Sequence, residues 1–362
     1  MKSTPKKKSA AKSGSRKASP KQSAKPQTEF FTAEEIQKAW RRENGLQRPK
    51  APRSAIQSQR GLRDRSKAAP RAKSKRPIEI LRAPALAEIP WLLHGFSTRP
   101  GGVTTEYGGA QLNLGYTAQD SKVNVDRNRE LFIAELGAST RKKNWPLVNL
   151  SQIHSAIIHA VTREVIADLK TIRSGDGLIT NIPGVVIAVK IADCIPVIAV
   201  DRRRRVIGVF HAGWRGTVQR IVEKGIGEMR RQFSSDPRDI VAVIGAGIGK
   251  CCYKIGEEVE TEFQSQFAYA SELFEDVFDY WSLHTRYPML FLNQRAPGHG
   301  EPALSRHLDL VKANRYQLHD AGVPEANISS LDLCTHCRTD LFFSHRKEQV
   351  SGRMMAAVAM RP

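Results

Sequence analysis

No run of about eighteen apolar residues occurs in this chain, so no membrane-spanning helix is expected. No short apolar segment behind a basic start marks a secretory signal either. Cysteine is scarce, five in 362 residues, and too irregularly placed for a disulfide framework. An odd number without an export signal reads as reduced thiols and a cytoplasmic location. Cys251 and Cys252 are adjacent, Cys334 and Cys337 form a CxxC, and Cys194 stands alone. Adjacent cysteines are poor partners for a tetrahedral CxxC site, so a structural zinc on those four is not expected. "GAGIGKCCY" (245–253) lacks the ending of a P-loop and fails as a dinucleotide fingerprint, and a glycine turn after a strand explains it. There is no internal repeat and no clean βαβ series.

Charge is abundant but uneven. The chain carries 57 Lys+Arg against 36 Asp+Glu, a net of +21, whereas residues 1–80 alone hold 23 against 6, a net of +17. The remainder is therefore only +4, and the basic character belongs to a tail. Residues 1–77, rich in Lys, Ser, Ala and Pro, are expected to be disordered, apart from a short helix at 32–43 capped by Thr32 and Glu35. Its serine content suits a transit peptide, but the lysines are too dense and an apolar face is missing. Such a tail is solubilising, or an arm for nucleic acid or another polyanion. Globular sequence starts near residue 77, leaving 78–362 as the globular domain.

In that domain short apolar runs alternate with turn clusters. Strands are predicted at 147–149, 156–161, 185–190, 195–200, 206–211 and 240–245, and helices at 124–137, 217–232, 256–265 and 307–321. The last segment, 329–360, reads as strands separated by polar turns. The class is mixed α/β (α+β), with mixed sheets flanked by helices.

Three places carry chemistry. "LSQIHSAII" (150–158) puts His154 just before a strand; "VVIAVKIADCIPVIAVD" (185–201) puts Asp193 and Cys194 at a break between apolar runs; "VFHAGWRG" (209–216) ends a strand on His211. The turn "DRRRR" (201–205) can fold the last two runs side by side, bringing thiolate and imidazole to one rim. A Cys/His/His set suits zinc and leaves a fourth position for water or substrate. Copper accepts the same ligands, and a Cys–His nucleophilic pair would use the same residues. Gly213 and Gly216 keep the approach open, and Trp214 reads as a packed wall rather than a base-stacking platform.

At these residues the chain resembles the YfiH/LACC1 family (formerly DUF152), known both as polyphenol oxidoreductases or laccases and as purine nucleoside phosphorylases. The likeness covers roughly 88–361. It is carried in order by "FSTRPGGVT", "LNLGY", "VDRNRELF", "SQIHS", "GDGLITNIPGVVIAVKIADCIPVIAVD", "VFHAGWRGT", "IGAGIGKCCYKIG", "LDLVKANRYQL" and "DLCTHCRTDLFFSHRKEQVSGRMMA". "ADC" followed 17 residues later by "HAGWRG" is highly specific. The usual "SYR" is Ser344-His345-Arg346 here, and 266–300 diverges.

The resemblance implies a single-domain fold with zinc held by His154, Cys194 and His211. It also implies phosphorolysis of adenosine, inosine, guanosine or methylthioadenosine to base and sugar 1-phosphate, with adenosine deamination at the same site. Arg129 matches a family arginine near the substrate. Zinc lowers the pKa of a bound water from about 15.7 towards about 7, which suits attack on adenine C6, and nucleobase deaminases pair that chemistry with a carboxylate. Asp193 can move that proton or merely fix its turn. Phosphate needs a cationic seat, for which Arg129, then Arg215 and Arg346, are the candidates; each can instead be a structural ion pair. The alternatives are a copper phenol oxidase and an enzyme editing a peptidoglycan precursor. The ten histidines with no His-x-His argue against the His-rich clusters of a multicopper oxidase.

Overall fold

Apolar runs of six or seven residues bounded by turns must be buried on both faces, and this requirement organises the molecule. A computed structural model describes residues 77–140, 143–169, 171, 173–278 and 304–362; those from 77 onward fall in one compact unit, 72–362. The disordered tail and helix expected within 1–76, and residues 279–300 of the divergent stretch 266–300, lie outside the described residues.

In chain order the strands are β1 (Ile80–Leu81), β2 (Leu92–Ser97), β3 (Pro100–Thr104), β4 (Leu147–Val148), β5 (Ile158–Ala160), β6 (Gly177–Thr180) and β7 (Val186–Ile191). Then follow β8 (Ile195–Asp201), β9 (Val206–Ala212), β10 (Ile240–Ile244), β11 (Phe274–Phe278), β12 (Leu304–Leu308), β13 (Ile328–Ser330) and β14 (Met354–Met360). One sheet has the order β1-β2-β14-β7-β4 and a second β13-β10-β8-β9-β6-β5, while β11 and β12 form a separate ribbon. Both large sheets mix parallel and antiparallel neighbours, as expected for the mixed α/β class.

The strand period of two explains the layering. On β8, Ile198 and Val200 join Ile207 and Val209 of β9 in a core shared with Ile187, Val189, Ala356 and Val358 of the other sheet. The alternate residues Val197, Ala199 and Phe210 face outward onto Ile226, Met229, Phe263 and Leu318 of the helices. The far side of the first sheet packs Val186, Ala188 and Ala357 under Phe132, Ile133 and Leu136. The result is two stacked sheets with helices on both outer faces. Each fully buried aliphatic side chain contributes about 1.5–3 kcal/mol.

The helix Lys122–Leu136 starts at Ser121, whose Oγ accepts Asn124 N–H, and stops at Gly137 with φ +82°. The predicted helix 217–232 is two pieces, Trp214–Val218 and Ile221–Phe233, divided where Arg220 takes φ +62°. The predicted helix 307–321 begins only at Leu310, because Asp309 caps it and the preceding residues complete β12. In the last segment only β13 and β14 are strands; between them lie loops and the short helix His345–Glu348. Among the described residues no helix is long and apolar enough to cross a membrane.

β8 and β9 form a hairpin in which Ile195 faces Ala212 and Asp201 faces Val206. Its turn is held by Asp201 Oδ1, which accepts the N–H groups of Arg203 and Arg204 at 2.9 Å. This register puts His211 on the same face as Ile207 and Val209, at the open end of the sheet.

β2 buries His94, 2% exposed, whose Nε2 accepts the Ala83 N–H at 2.9 Å. Burial, with the Arg82 charge nearby, lowers its pKa from 6.5 to about 4. Between these values the unfolded chain binds a proton that the folded chain refuses. Stability from His94 is therefore present above pH 6.5 and lost as pH falls towards 4, roughly 3 kcal/mol in all. Urea unfolding at pH 7 and pH 4.5 should show this loss, and His94→Gln should remove that share of it. An identical pH dependence in parent and variant would refute the assignment.

Candidate metal centre

The chain passes from one sheet to the other between β7 and β8, and Asp193 makes that crossing with φ +85°. Cys194 follows directly, on the lip of β8. Opposite it lies His211 of β9, and the loop before β5 supplies His154, also at positive φ, +58°. One imidazole nitrogen from each histidine and the Cys194 Sγ lie within 4.8 Å of one another. His154 Nε2 is 3.8 Å from Cys194 Sγ, and the two imidazole rings meet edge to face at 5.0 Å. A Cβ at Gly213 would come to 3.0 Å from both Cys194 Sγ and the His154 ring, so the glycine permits this convergence.

Asp176, a residue not singled out from sequence, organises the group. Its carboxylate accepts the N–H groups of Ile153, His154 and Ser155 and the Ser155 hydroxyl. It also accepts His211 Nδ1–H at 2.8 Å, while its carbonyl accepts His211 N–H. One buried side chain thus holds the strained His154 turn and fixes the His211 ring, leaving Nε2 towards the cleft. Burial would raise the Asp176 pKa, but the His211 and Ser155 hydrogen bonds outweigh it and hold the carboxyl at about 2.

Electrostatics favour a thiolate. Burial pushes the Cys194 thiol up, yet the adjacent His211 and hydrogen bonds from both histidines bring it well below the ordinary thiol range. Burial pulls His211 down, and the Cys194 charge with the Asp176 bond raises it instead. A metal ion competes with that proton for the same ring nitrogen. Two nitrogens, one sulfur and an exposed His154 opening onto a cleft of about 550 Å³ fit a metal with a free coordination position.

Trp214 lines that cleft at the start of its helix, and so do Tyr253 and Arg346. Asp193 also borders it, with both carboxylate oxygens occupied: Oδ1 accepts Thr335 Oγ1–H and Oδ2 accepts Arg346 N–H, each at 2.6 Å. The Arg346 guanidinium donates to the Lys254 carbonyl and lies 5.2 Å above the Tyr253 ring. Arg215 is exposed, stacks on Trp214 at 4.3 Å, and is not among the residues lining the cleft.

Arg129 lines an adjoining cavity of about 330 Å³ that shares Tyr116, Ser151 and Lys190 with the metal cleft. Its Nε donates to the Leu114 carbonyl, its guanidinium stacks on Tyr116 at 4.3 Å, and its Nη2 is buried with no hydrogen-bond partner among the described residues. Two further cations, Lys190 and Arg353, border the metal cleft. Burial, then the charges of Arg129 and Arg353, lower the Lys190 pKa to about 8.

Comparison with known proteins places these features in a wider group. The sequence model of the family described as multi-copper polyphenol oxidoreductase laccase matches residues 93–361, within the span whose ordered motifs resemble the YfiH/LACC1 proteins. The chain is 33% identical over 286 residues to "Purine nucleoside phosphorylase YlmD" of Geobacillus stearothermophilus, covering 75% of this chain and 94% of that protein. "Adenosine deaminase RL5", from an unknown prokaryotic organism, is 31% identical over 272 residues, 74% of this chain and 93% of its own. The solved structure of hypothetical protein YfiH from Bacillus licheniformis matches with a TM-score of 0.62 at 30% identity, over 75% of this chain and 93% of that one.

Proposed function

Because the chain belongs to the multi-copper polyphenol oxidoreductase laccase family, with relatives named for purine nucleoside phosphorolysis and adenosine deamination, we propose that it is a zinc-dependent purine nucleoside phosphorylase that also deaminates adenosine. The observation that carries this reading is the cation group beside the metal-binding residues. Burial, and after it the charges of Arg129 and Arg353, depress the Lys190 pKa, and one Arg129 nitrogen is buried with no hydrogen-bond partner among the described residues. Crowded cations with a spare donor await an anion, and phosphate supplies both charge and acceptors.

His154, Cys194 and His211 would hold the zinc, with Asp176 aiming the His211 ring. A zinc ion bound there supplies Lewis-acid polarisation and a lowered pKa for water. The cations would seat phosphate, whose oxygen forms a bond to C1′ of the sugar as the C1′–N9 bond breaks and the base leaves with the electron pair. Tyr116, Trp214 and Tyr253 provide ring faces along the cleft.

Purified protein should convert inosine to hypoxanthine and ribose 1-phosphate only when phosphate is present, and adenosine to inosine without it. Lys190 is charged below about pH 8, so kcat/KM for phosphate should decline above that pH. Lys190→Met should lower this constant about tenfold to a hundredfold at neutral pH and flatten the decline. Phosphate-independent release of hypoxanthine from inosine, or a Lys190→Met variant with parental phosphate kinetics, contradicts the reading.

The family's description supports a second reading, copper-dependent phenol oxidation, since the donor set also accepts copper. Metal analysis of the purified protein, with oxygen uptake on a phenol and product formation from adenosine with and without phosphate, separates the two.

A further inference from the structure

A second group of metal-binding side chains lies in the loops beside the cleft. The thiols of Cys251, Cys252, Cys334 and Cys337 all lie within 4.8 Å of one another. Cys337 Sγ is 3.6 Å from Cys251 Sγ and 3.4 Å from Cys252 Sγ. These spacings are far from a disulfide, whose sulfurs are about 2.05 Å apart. They are close to the edges of a tetrahedron of thiolates around one zinc, where Zn–S bonds of about 2.3 Å set sulfurs about 3.8 Å apart. One sulfur nearly equidistant from two others is the pattern of shared ligation rather than of pairing.

Sequence reasoning rejected this set because two of its members are neighbours. In a strand they would point to opposite faces, but here they lie in a tight turn, where Cys252 N–H and Tyr253 N–H both donate to the Gly249 carbonyl. The backbone supports the sulfurs as well. Gly249 N–H donates to Cys334 Sγ at 3.3 Å, and a Cβ at Gly249 would come within 3.3 Å of Cys251 Sγ and of Cys334 Cβ. The CxxC loop is tied to the cysteine turn through Gly247 N–H to the Leu333 carbonyl and Thr335 N–H to the Gly247 carbonyl.

We propose that Cys251, Cys252, Cys334 and Cys337 form a second metal site, a closed tetrathiolate that binds zinc and fastens the turn 249–254 to the loop 333–338. Four protein ligands leave no position for substrate, so the role is structural, in contrast to the open three-ligand group. What it steadies is specific. Thr335 bonds the Asp193 carboxylate, Ile248 N–H bonds the Asp193 carbonyl at 2.7 Å, and Tyr253 forms part of the cleft wall. The clamp therefore stands behind the turn that presents Cys194.

The test is a metal count under reducing conditions, with zinc and cobalt as probes. Parent protein should hold two zinc ions per chain, Cys194→Ala one, and Cys194→Ala combined with Cys334→Ser none. Cobalt loaded into folded Cys194→Ala should give the intense visible absorption of a tetrahedral cobalt tetrathiolate, a measurement that leaves all four cysteines in place. One zinc in the parent and none in Cys194→Ala would overturn the proposal while leaving the first centre standing. One zinc in both would uphold it and refute the first centre. A disulfide among the four cysteines in the unreduced protein, found by mass spectrometry, would also overturn it.

Discussion

His211→Ala should lower both phosphorolysis of inosine and deamination of adenosine by at least about a hundredfold per mole of folded protein. Both reactions are proposed to depend on one metal, and His211 offers the only donor of the group whose ring is fixed by a buried carboxylate, at 2.8 Å from Asp176. Bound zinc should fall by one equivalent in the same variant. The substitution also strips Asp176 of a hydrogen-bond donor, so some loss of stability accompanies it, and rates must be normalised to the folded fraction. A merely structural histidine would lower stability and leave turnover per folded molecule intact. Folded His211→Ala protein that still cleaves inosine at the parental rate would end the assignment.

Asp176→Ala should destabilise the fold by about 3–5 kcal/mol, the range for breaking a buried charged pair by removing one partner. The carboxylate takes three backbone N–H groups, a hydroxyl and an imidazole at once, and the side chain is fully buried. Alanine would leave those donors without their acceptor. Asp176→Asn keeps the volume but lacks the charge and one acceptor oxygen, and it should weaken metal affinity about 10- to 100-fold. Urea unfolding of the alanine variant and metal competition on the asparagine variant measure the two effects separately. Parental metal affinity in Asp176→Asn would show that the carboxylate does not orient the histidines.

The contrast between Asp176 and the residues it holds shows what a sequence displays. His154, Cys194 and His211 each stand where an apolar run meets a turn, so each is conspicuous locally, and the hairpin linking two of them is short enough to foresee. Asp176 lies between two glycines before β6, and nothing nearby indicates that it bridges segments 22 and 35 residues away. Lys190 had a readable signal that went unused: it is the one charge inside the apolar run 185–192, and a charge there needs a reason. Arg353 sits in an ordinary polar loop and gains meaning only from its neighbours in space. The class of the fold followed from strand-length apolar runs mixed irregularly with helical ones, but the stacking of two sheets did not, because it depends on β7 and β8 parting company at Asp193. The break at Arg220 was hidden for a similar reason, since one residue at positive φ divides what periodicity reads as one helix.

The β8–β9 hairpin has a consequence for how this protein can change over time. About six residues, roughly 20 Å of strand, separate the arginine turn from the metal-binding end, and the length of the turn, together with the burial of alternate faces, sets how the two strands are aligned. Composition there is only loosely constrained, because the exposed arginines meet surface partners far from any chemistry: Arg203 pairs with Asp239 at 3.5 Å, and Arg205 donates to the Arg361 carbonyl and lies 5.1 Å from the Trp91 ring. Length is not. Deleting or inserting a single residue at 202–205 would slide β9 past β8, send His211 to the helix side of the sheet and bring Phe210 or Ala212 to the cleft. A remote surface loop thus has as little tolerance for an insertion as a ligand has for replacement, while its side chains are held only by surface contacts.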